Sequence, residues 1–312
     1  MDIFLRSISG ILVILGMILV GFVIGEKGWF DDKSRGLIAK LVTQIALPCY
    51  MLYTITQRFT AADLLKMLPA LRFPALSMVV LLGIATAVAK IFAVRQDRRG
   101  LFISMFFNSN TIFVGLPINQ ALFGDDSIPY VLIYYMCNTT FFWTLGTYLI
   151  QRDGEGEAQF DLKTSVKKVF SPPLMGFILG LVMVMLQIKL PAFLASDLQY
   201  LGNLTTPLSM IFIGLSVSHI GLKQLVLGKD QLLILLGRFV VAPLLMAIIV
   251  YWAPLPSLMK QVFIIQSAMP VMTNAPVVAR LYGADSDYAA VMLTETTLAT
   301  MVVIPILMVL MA

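Results

Sequence analysis

Long apolar runs separated by short polar stretches dominate the chain. Ten of these runs approach the length of about 20 residues that a helix needs to cross roughly 30 Å of hydrocarbon. The runs cover residues 8–25, 36–56, 73–94, 101–123, 128–150, 171–188, 198–218, 231–252, 261–282 and 288–311. The pattern predicts an all-α polytopic membrane protein with ten transmembrane helices. So little chain lies between the runs that a soluble domain of ordinary size is not expected.

The composition agrees with the pattern. Hydrophobic residues make up 59% of the 312 residues and charged residues 12%, and the mean hydropathy is +0.90. These values lie outside the range of soluble globular domains. The leading residues MDIFLR carry one acid and one base, and no small-residue cleavage site precedes Glu26, so the first run is interpreted as a span rather than a signal peptide.

Lysine and arginine are distributed unevenly between the two sides that ten spans would create. Of 22 basic residues, sixteen fall on the side opposite the N-terminus, and six fall on the N-terminal side, namely Arg6, Arg58, Lys66, Arg72, Lys189 and Lys260. Because positive loops stay in the cytoplasm, both termini are predicted to lie outside it and the polar loop 151–169 inside. The net charge of +5 then reflects topology, and no nucleic-acid partner is expected.

A shift of 159 residues superimposes the two halves of the chain. The stretch GLPINQALFGDDS at 115–127 falls on NAPVVARLYGADS at 274–286, and the shift pairs prolines and glycines along the chain. These pairs are Pro117 with Pro276, Gly124 with Gly283, Pro48 with Pro207 and Gly21 with Gly180. The shift predicts a first five-helix repeat at 1–150, a linker at 151–169 and a second repeat at 170–312. Five spans is an odd number, so the second repeat is expected to be inverted, as in many secondary transporters.

Polar residues interrupt the fourth run at NSNTIFVGLP, 108–117, and the shift places 110–116 on 269–275, MPVMTNA, in the ninth run. Both interruptions lie near the middle of their spans, so helices 4 and 9 are predicted to be broken and to cross at the midplane. Pro270 opposes helix before it, while Pro117 and Pro276 suit the first turn of a restarting helix. Unwound backbone at this depth must be buried in protein or line a wet cavity.

Broken helices bring helix ends to the centre of the membrane. Their N-terminal ends favour an anion, and the carbonyls freed at their C-terminal ends can hold a cation or a protonated group. The polar residues of the two interruptions are therefore predicted to bind substrate: Asn108, Asn110, Thr111, Gly115, Thr273 and Asn274. The alternative is that the asparagines and threonines only satisfy backbone groups in kinked structural helices.

With Asn108, Asn110 and Thr111 followed by Gly115, Leu116 and Pro117, the sequence resembles the auxin efflux carrier family, in particular its bacterial malate and malonate permeases. Plant members read Asn-Pro-Asn-Thr-Tyr at the break; here Ser109 replaces the proline and Ile112 the tyrosine, so auxin itself is not implied.

The resemblance implies a scaffold domain, a transport domain that holds the crossover, and organic anions as substrates. By position, it implies Asn110 and Asn274 as the residues closest to a carboxylate. The second span of each half is expected to form the opposite wall, through Gln44, Pro48, Thr205, Thr206 and Pro207. The prolines of these spans could instead be simple kinks.

Two ionisable residues lie deep in the predicted spans, Glu295 in the polar run TETT and Arg238 at a similar depth. A charge inside a span is costly enough to be interpreted as functional. The two residues could form a structural ion pair, or Glu295 could take up a proton as part of coupling. Asn138 aligns with Thr297 under the shift and is expected to present a polar group at the same level.

The sequence therefore predicts a secondary transporter for mono- or dicarboxylates, working by alternating access in a bacterial inner membrane. A sodium-coupled symporter of the bile-acid type and a membrane sensor on a transporter scaffold remain alternatives. No metal-ligand cluster, nucleotide-binding loop or activated nucleophile is present in the sequence, so neither an enzyme nor a cofactor is expected. H⁺ or Na⁺ could be the coupling ion, and outward apolar patches could face lipid or the second subunit of a homodimer.

Overall fold

The computed structural model describes residues 2–154, 163, 166, 170–220 and 228–311, with side chains described from residue 12 onward except at 32 and 220. The fold of these residues is all-helical. The helices are α1 (Asp2–Glu26), α2 (Lys33–Arg58), α3 (Ala61–Ile91), α4 (Arg99–Phe107), α5 (Gly115–Phe123), α6 (128–153), α7 (Pro172–Met185), α8 (Ala192–His219), α9 (Lys229–Tyr251), α10 (Ser257–Ser267), α11 (Asn274–Leu281) and α12 (Ser286–Met311). Within the described ranges, five helices are long and apolar enough to cross a membrane: α2, α3, α8, α9 and α12.

The chain divides into two spatial units, and each unit takes helices from both halves of the sequence. The larger unit comprises the described residues of Met1–Leu12, Ala70–Val166 and Ile220–Ala312, and the smaller unit those of Val13–Pro69 and Lys167–His219. These units differ in kind from the two sequence repeats, because a repeat is a continuous half of the chain. The division at 151–169 remains a prediction about the repeats, and most of that loop lies outside the described residues.

Three long helices contain a π-helical turn, called a wide turn here, at Val42–Ala46 in α2, Phe142–Gly146 in α6 and Gly237–Val241 in α9. In α2 and α9 a proline follows within two residues, Pro48 and Pro243. Proline has no N–H to donate to the preceding turn and its ring crowds the carbonyl there, so the helix widens ahead of it. Wide turns of this kind occur often at functional positions.

Glycines allow two pairs of helices in the larger unit to approach closely. A Cβ atom placed on Gly100 of α4 would lie 1.9 Å from the carbonyl oxygen of Leu149 in α6, and one placed on Gly237 of α9 would lie 2.3 Å from the ring of Phe106 in α4. A larger residue at Gly100 would push α4 and α6 apart, and one at Gly237 would have to displace the Phe106 ring. The close packing of α4 against α6 and α9 positions the end of α4, where the helix is interrupted.

The smaller unit uses the same device, as membrane helices commonly do. A Cβ on Gly21 of α1 would lie 2.8 Å from the Cα of Ile211 in α8, and one on Gly176 of α7 would lie 2.5 Å from the carbonyl oxygen of Pro48 in α2. Outside the apolar helices, Asp31 is the N-cap of α2, and its side chain accepts a hydrogen bond from the Ser34 amide at 2.8 Å. Hydrogen bonds from the Ser34 side chain and backbone hold the pKa of Asp31 below its ordinary value.

Candidate substrate site at the helix crossover

Two helices of the larger unit are interrupted, and the interruptions meet. α4 ends at Phe107 and α5 begins at Gly115, while α10 ends at Ser267 and α11 begins at Asn274. The two intervening segments, 108–114 and 268–273, are called the crossover here. They are joined by an antiparallel bridge between Ser109 and Val271, and the Asn110 amide donates to the Pro270 carbonyl at 2.8 Å. This pairing satisfies backbone groups that neither helix can satisfy alone.

Each strand of the bridge is also held by a side chain from a neighbouring helix. Asn138 of α6 accepts from the Ser109 amide at 2.8 Å and donates to the Ser109 carbonyl at 2.7 Å. Thr296 of α12 accepts from the Val271 amide at 3.1 Å through its Oγ1 atom. Thr296 was not identified from the sequence, although it belongs to the polar run TETT that drew attention to Glu295.

Asn110 connects the two segments through its side chain. Its Nδ2 atom donates to Thr273 Oγ1 at 2.5 Å, its Oδ1 atom accepts from the Phe113 amide at 3.1 Å, and the residue is 3% exposed. The amide has a second N–H, and the Thr273 hydroxyl has a hydrogen of its own to donate. Both residues can therefore donate to a bound anion without breaking the contact between them.

Arg238 lies at the C-terminal ends of both half-helices, α4 and α10. Its guanidinium donates to the Phe106 carbonyl at 3.2 Å, to the Ser267 carbonyl at 2.6 Å and twice to the Met269 carbonyl, at 3.0 and 2.8 Å. The residue is fully buried at 0% exposure. A positive charge is favourable at the C-terminal end of a helix, where carbonyls lack intrahelical partners. One arginine thus caps both interrupted helices.

The ion pair between Arg238 and Glu295, one of the two alternatives considered for these residues, is not formed. Arg238 bonds to main-chain carbonyls instead, and the ion pairs among the described residues do not include it. Glu295 is 7% exposed, and neither of its carboxylate oxygens has a hydrogen-bond partner within the described ranges. The sequence placed the two residues at similar depths in their predicted spans. The guanidinium of Arg238, however, donates to the carbonyls freed by the helix breaks and not to the Glu295 carboxylate.

Three buried carboxamides around the crossover each use their nitrogen and leave their oxygen unused. Asn108 donates to the Ser104 carbonyl at 3.2 Å, Gln266 to the Thr111 carbonyl at 3.2 Å and Asn119 to the Gly115 carbonyl at 2.7 Å. Their side-chain oxygens are buried without a partner in the described part of the chain. Gln266 and Asn119 were missed in the sequence, where the signal was an amide side chain in the helix next to each interruption.

The restarting helices begin as the prolines predict. Pro117 is the third residue of α5 and Pro276 the third residue of α11, positions at which a missing N–H costs no helical hydrogen bond. Asn274 is the first residue of α11 and is half-buried, and its side chain forms no hydrogen bond with the described residues. Thr111 is buried, with its carbonyl held by Gln266. Asn108, Asn110, Thr111, Gly115, Thr273 and Asn274 therefore all belong to one region.

The residues predicted for an opposite wall belong to the smaller unit. Gln44 lies in the wide turn of α2 and is exposed, while Thr205 is 1% exposed. Pro48, Thr206 and Pro207 are half-buried. Their role in binding stays a prediction. Among the described residues, no group of three His, Cys, Asp or Glu side chains could hold a metal ion.

Membrane-spanning helices, together with two interrupted helices joined in a buried polar crossover, give the described residues the architecture of a transport protein. The model of the family described as "Membrane transport protein" matches residues 7–308. The chain belongs to this family, the auxin efflux carrier and membrane transport family, and the resemblance stated from the sequence is confirmed. It is therefore a multi-pass membrane protein of a transporter family.

Two archaeal proteins are similar to the chain over nearly its whole length. An uncharacterized transporter of Methanocaldococcus jannaschii is 27% identical over 299 residues, which cover 94% of this chain and 95% of the relative. An uncharacterized transporter of Methanothermobacter thermautotrophicus is 26% identical over 312 residues, which cover 97% and 98%. Both names agree with transport as the function of the family.

Proposed function

We propose that the protein is a secondary active transporter of small organic anions, mono- or dicarboxylates, which it binds at the crossover and moves by alternating access. The observation that carries the proposal is the charge of this region. Arg238 places a buried positive charge between the two interrupted helices, and no acidic side chain of the described residues pairs with it. Two helix N-termini, at Gly115 and Asn274, add partial positive charge.

The hydrogen-bonding groups of the crossover also favour an anion. Seven main-chain carbonyls at the crossover and the adjoining helix ends already accept hydrogen bonds from the protein itself, namely those of Phe106, Ser109, Asn110, Thr111, Ser267, Met269 and Pro270. The side chains of Asn110, Thr273 and Asn274 retain N–H or O–H groups that can donate. A carboxylate accepts hydrogen bonds only, so it can use the donors that remain on Asn110, Thr273 and Asn274.

We propose further that the chain consists of two inverted five-helix repeats, with both termini outside the cytoplasm. Two observations support the repeat. Gly124 and Gly283, which the shift of 159 pairs, have the same φ of +73°. Gly21 packs on Ile211, and a Cβ placed on Gly21 would lie 2.8 Å from the Ile211 Cα atom. Gly180 packs on Leu52, and a Cβ placed on Gly180 would lie 3.6 Å from the Leu52 Cα atom. The shift exchanges these two contacts, because it moves Gly21 to Gly180 and Leu52 to Ile211.

Glu295 is the residue we assign to proton coupling. It is nearly buried, and its carboxylate oxygens make no hydrogen bond to the described residues. Its neighbour in sequence, Thr296, holds the Val271 amide of the crossover. A group that exchanges a proton at this position is therefore one residue away from a side chain that bonds to the crossover. The assignment replaces the ion pair as the reason for an acidic residue in this helix.

A thermal-shift screen of the purified protein against small carboxylates tests the function. The screen is run at about pH 5.5 and about pH 7.5, because proton coupling would make binding depend on pH. A carboxylate that binds the folded protein raises its unfolding temperature by mass action. The expected stabilisation is lost in Asn110→Ala and retained in Asn203→Ala, which removes an exposed amide in the smaller unit. Stabilisation by neutral solutes or cations, with none by carboxylates, would reject an anion site.

A further inference from the structure

We infer that Arg238 is a resident cation that takes the place of a coupling sodium ion at the crossover, so that this protein binds its anion without sodium. The inference rests on the proposed function, because it concerns the charge balance of the same anion site. It concerns a residue that is fully buried and lies at the ends of both interrupted helices.

The carbonyls at this place are those that a cation would need. When a transmembrane helix is broken, its last carbonyls lose their intrahelical donors and can coordinate Na⁺ or a protonated group. Here the Phe106 carbonyl at the end of α4 and the Ser267 and Met269 carbonyls at the end of α10 receive four hydrogen bonds from one guanidinium. Arginine has five N–H groups in a fixed fork, so four of its five donors are used here.

The fold delivers the guanidinium to this position. Arg238 lies in the wide turn Gly237–Val241 of α9, and Gly237 lets α9 pack directly on the Phe106 ring. The Arg238 side chain then lies beside the Phe106 carbonyl. Arg238 belongs to neither of the ion pairs Arg95–Asp97 and Arg98–Asp230, and its hydrogen bonds all go to main-chain carbonyls, so carbonyl dipoles balance its charge. That arrangement leaves net positive charge for an anion.

A covalently held cation differs from a bound sodium ion in its consequence for transport. Sodium enters and leaves with the substrate and links uptake to a sodium gradient, whereas an arginine stays in the protein. The charge of the anion is then compensated in every step of the cycle without a sodium ion. The sodium-coupled alternative needs the carbonyls that Arg238 occupies.

The test compares stability and anion binding in sodium, potassium and choline chloride at equal ionic strength, using the purified full-length protein. We expect the unfolding temperature and the anion affinity of the wild type to be the same in all three salts. A specific stabilisation or a rise in anion affinity in sodium would overturn the inference. It would leave the proposed function intact, since the anion would still bind.

Variants of Arg238 test its role directly. Arg238→Gln is expected to weaken anion binding at least about tenfold, and Arg238→Lys to retain part of it, because lysine keeps the charge and loses the fork. In Arg238→Ala, added methylguanidinium is expected to raise the unfolding temperature, with no such effect in Arg280→Ala, which removes an exposed arginine. Unchanged anion affinity in Arg238→Gln would overturn the inference.

Two further outcomes separate the inference from the function. If the variants do not fold, the wild-type comparison between the three salts still decides the inference. If no carboxylate stabilises the wild type in any salt, the proposed function fails. The inference about the cation is then tested by two measurements that need no substrate. These are the unfolding temperature of the wild type in the three salts and the effect of methylguanidinium on the unfolding temperature of Arg238→Ala.

Discussion

Asn138 holds the main chain of Ser109 with both atoms of its carboxamide, accepting from the Ser109 amide at 2.8 Å and donating to the Ser109 carbonyl at 2.7 Å. Both residues are completely buried. The pair joins an intact helix, α6, to the interrupted segment between α4 and α5. The Asn138 carboxamide pairs with the Ser109 main chain in the way that a neighbouring β-strand would. It satisfies main-chain groups that lipid could not satisfy.

Asn138→Ala should therefore destabilise the protein by about 1–3 kcal/mol, since it leaves the buried Ser109 amide without a partner and removes one of the two hydrogen bonds to the Ser109 carbonyl. The measurement is thermal unfolding in detergent, together with hydrogen exchange of the Ser109 amide, which should become faster. Asn203→Ala serves as the control because Asn203 is exposed in the smaller unit. Equal stability of the two variants, with unchanged exchange at Ser109, would contradict the role assigned to Asn138.

The crossover itself could be predicted from sequence, because glycine, proline and asparagine in the middle of an apolar run are incompatible with a plain spanning helix. The positions of Pro117, Pro276 and Asn110 followed from that pattern and from the shift of 159 residues. Asn138 was expected at the level of Thr297. In the structure, Asn138 bonds to one strand of the bridge, and Thr296, the residue before Thr297, bonds to the other. Local pattern and repeat symmetry were sufficient to place the crossover, but they did not predict that Asn138 and Thr296 bond to its main chain.

The role of Arg238 could not be predicted in the same way. Its acceptor Phe106 lies 132 residues away in sequence, and its acceptors are main-chain carbonyls that any residue type could supply. The wide turn that carries it has no distinctive sequence apart from the following Pro243. An ion pair with Glu295 was one of the two alternatives for Arg238, but its guanidinium donates instead to the carbonyls released by the two broken helices.

Asn110 and Thr273 are expected to act together on the anion. Either Asn110→Ala or Thr273→Val should weaken carboxylate binding by about 1–3 kcal/mol, because each removes a donor from a buried site. The double variant should lose less than the sum of the two losses, since the side chains contact each other at 2.5 Å. Binding is measured by scintillation proximity with a radiolabelled carboxylate that the screen identifies.

Thr86→Val is a suitable control for that cycle, because Thr86 is half-buried and donates only to the Leu82 carbonyl of its own helix. Its carboxylate affinity should equal that of the wild type. Unchanged affinity in both Asn110→Ala and Thr273→Val would remove these residues from the site. Strictly additive losses would mean that they act on the anion independently of each other.

Glu295→Gln should abolish proton-dependent uptake while the protein still folds, because glutamine resembles the protonated acid and cannot release a proton. The measurement is carboxylate uptake into proteoliposomes with and without an imposed pH gradient. Asp287→Asn, an exposed acid in the first turn of the same helix, should keep the gradient response. A full response to the gradient in Glu295→Gln would exclude the coupling role.

Gly100 is predicted to be irreplaceable for the position of α4. A Cβ there would lie 1.9 Å from the Leu149 carbonyl oxygen, and the amides of Gly100 and Leu101 donate to the Asp153 carboxylate at 2.9 and 2.6 Å. Gly100→Ala must move α4 away from α6, at a cost of about 1–3 kcal/mol or more. Gly83 is the matched control, because a Cβ there meets nothing within 4 Å.

Gly83→Ala should leave stability unchanged or raise it by up to about 1 kcal/mol, the difference in helix propensity between the two residues. The two glycines thus separate the effect of close helix contact from that of propensity. Unfolding temperatures of both variants give the comparison, and carboxylate binding shows whether the crossover moves with α4. If Gly100→Ala and Gly83→Ala were equally stable, the close contact between α4 and α6 at Gly100 would not contribute to the stability of the protein.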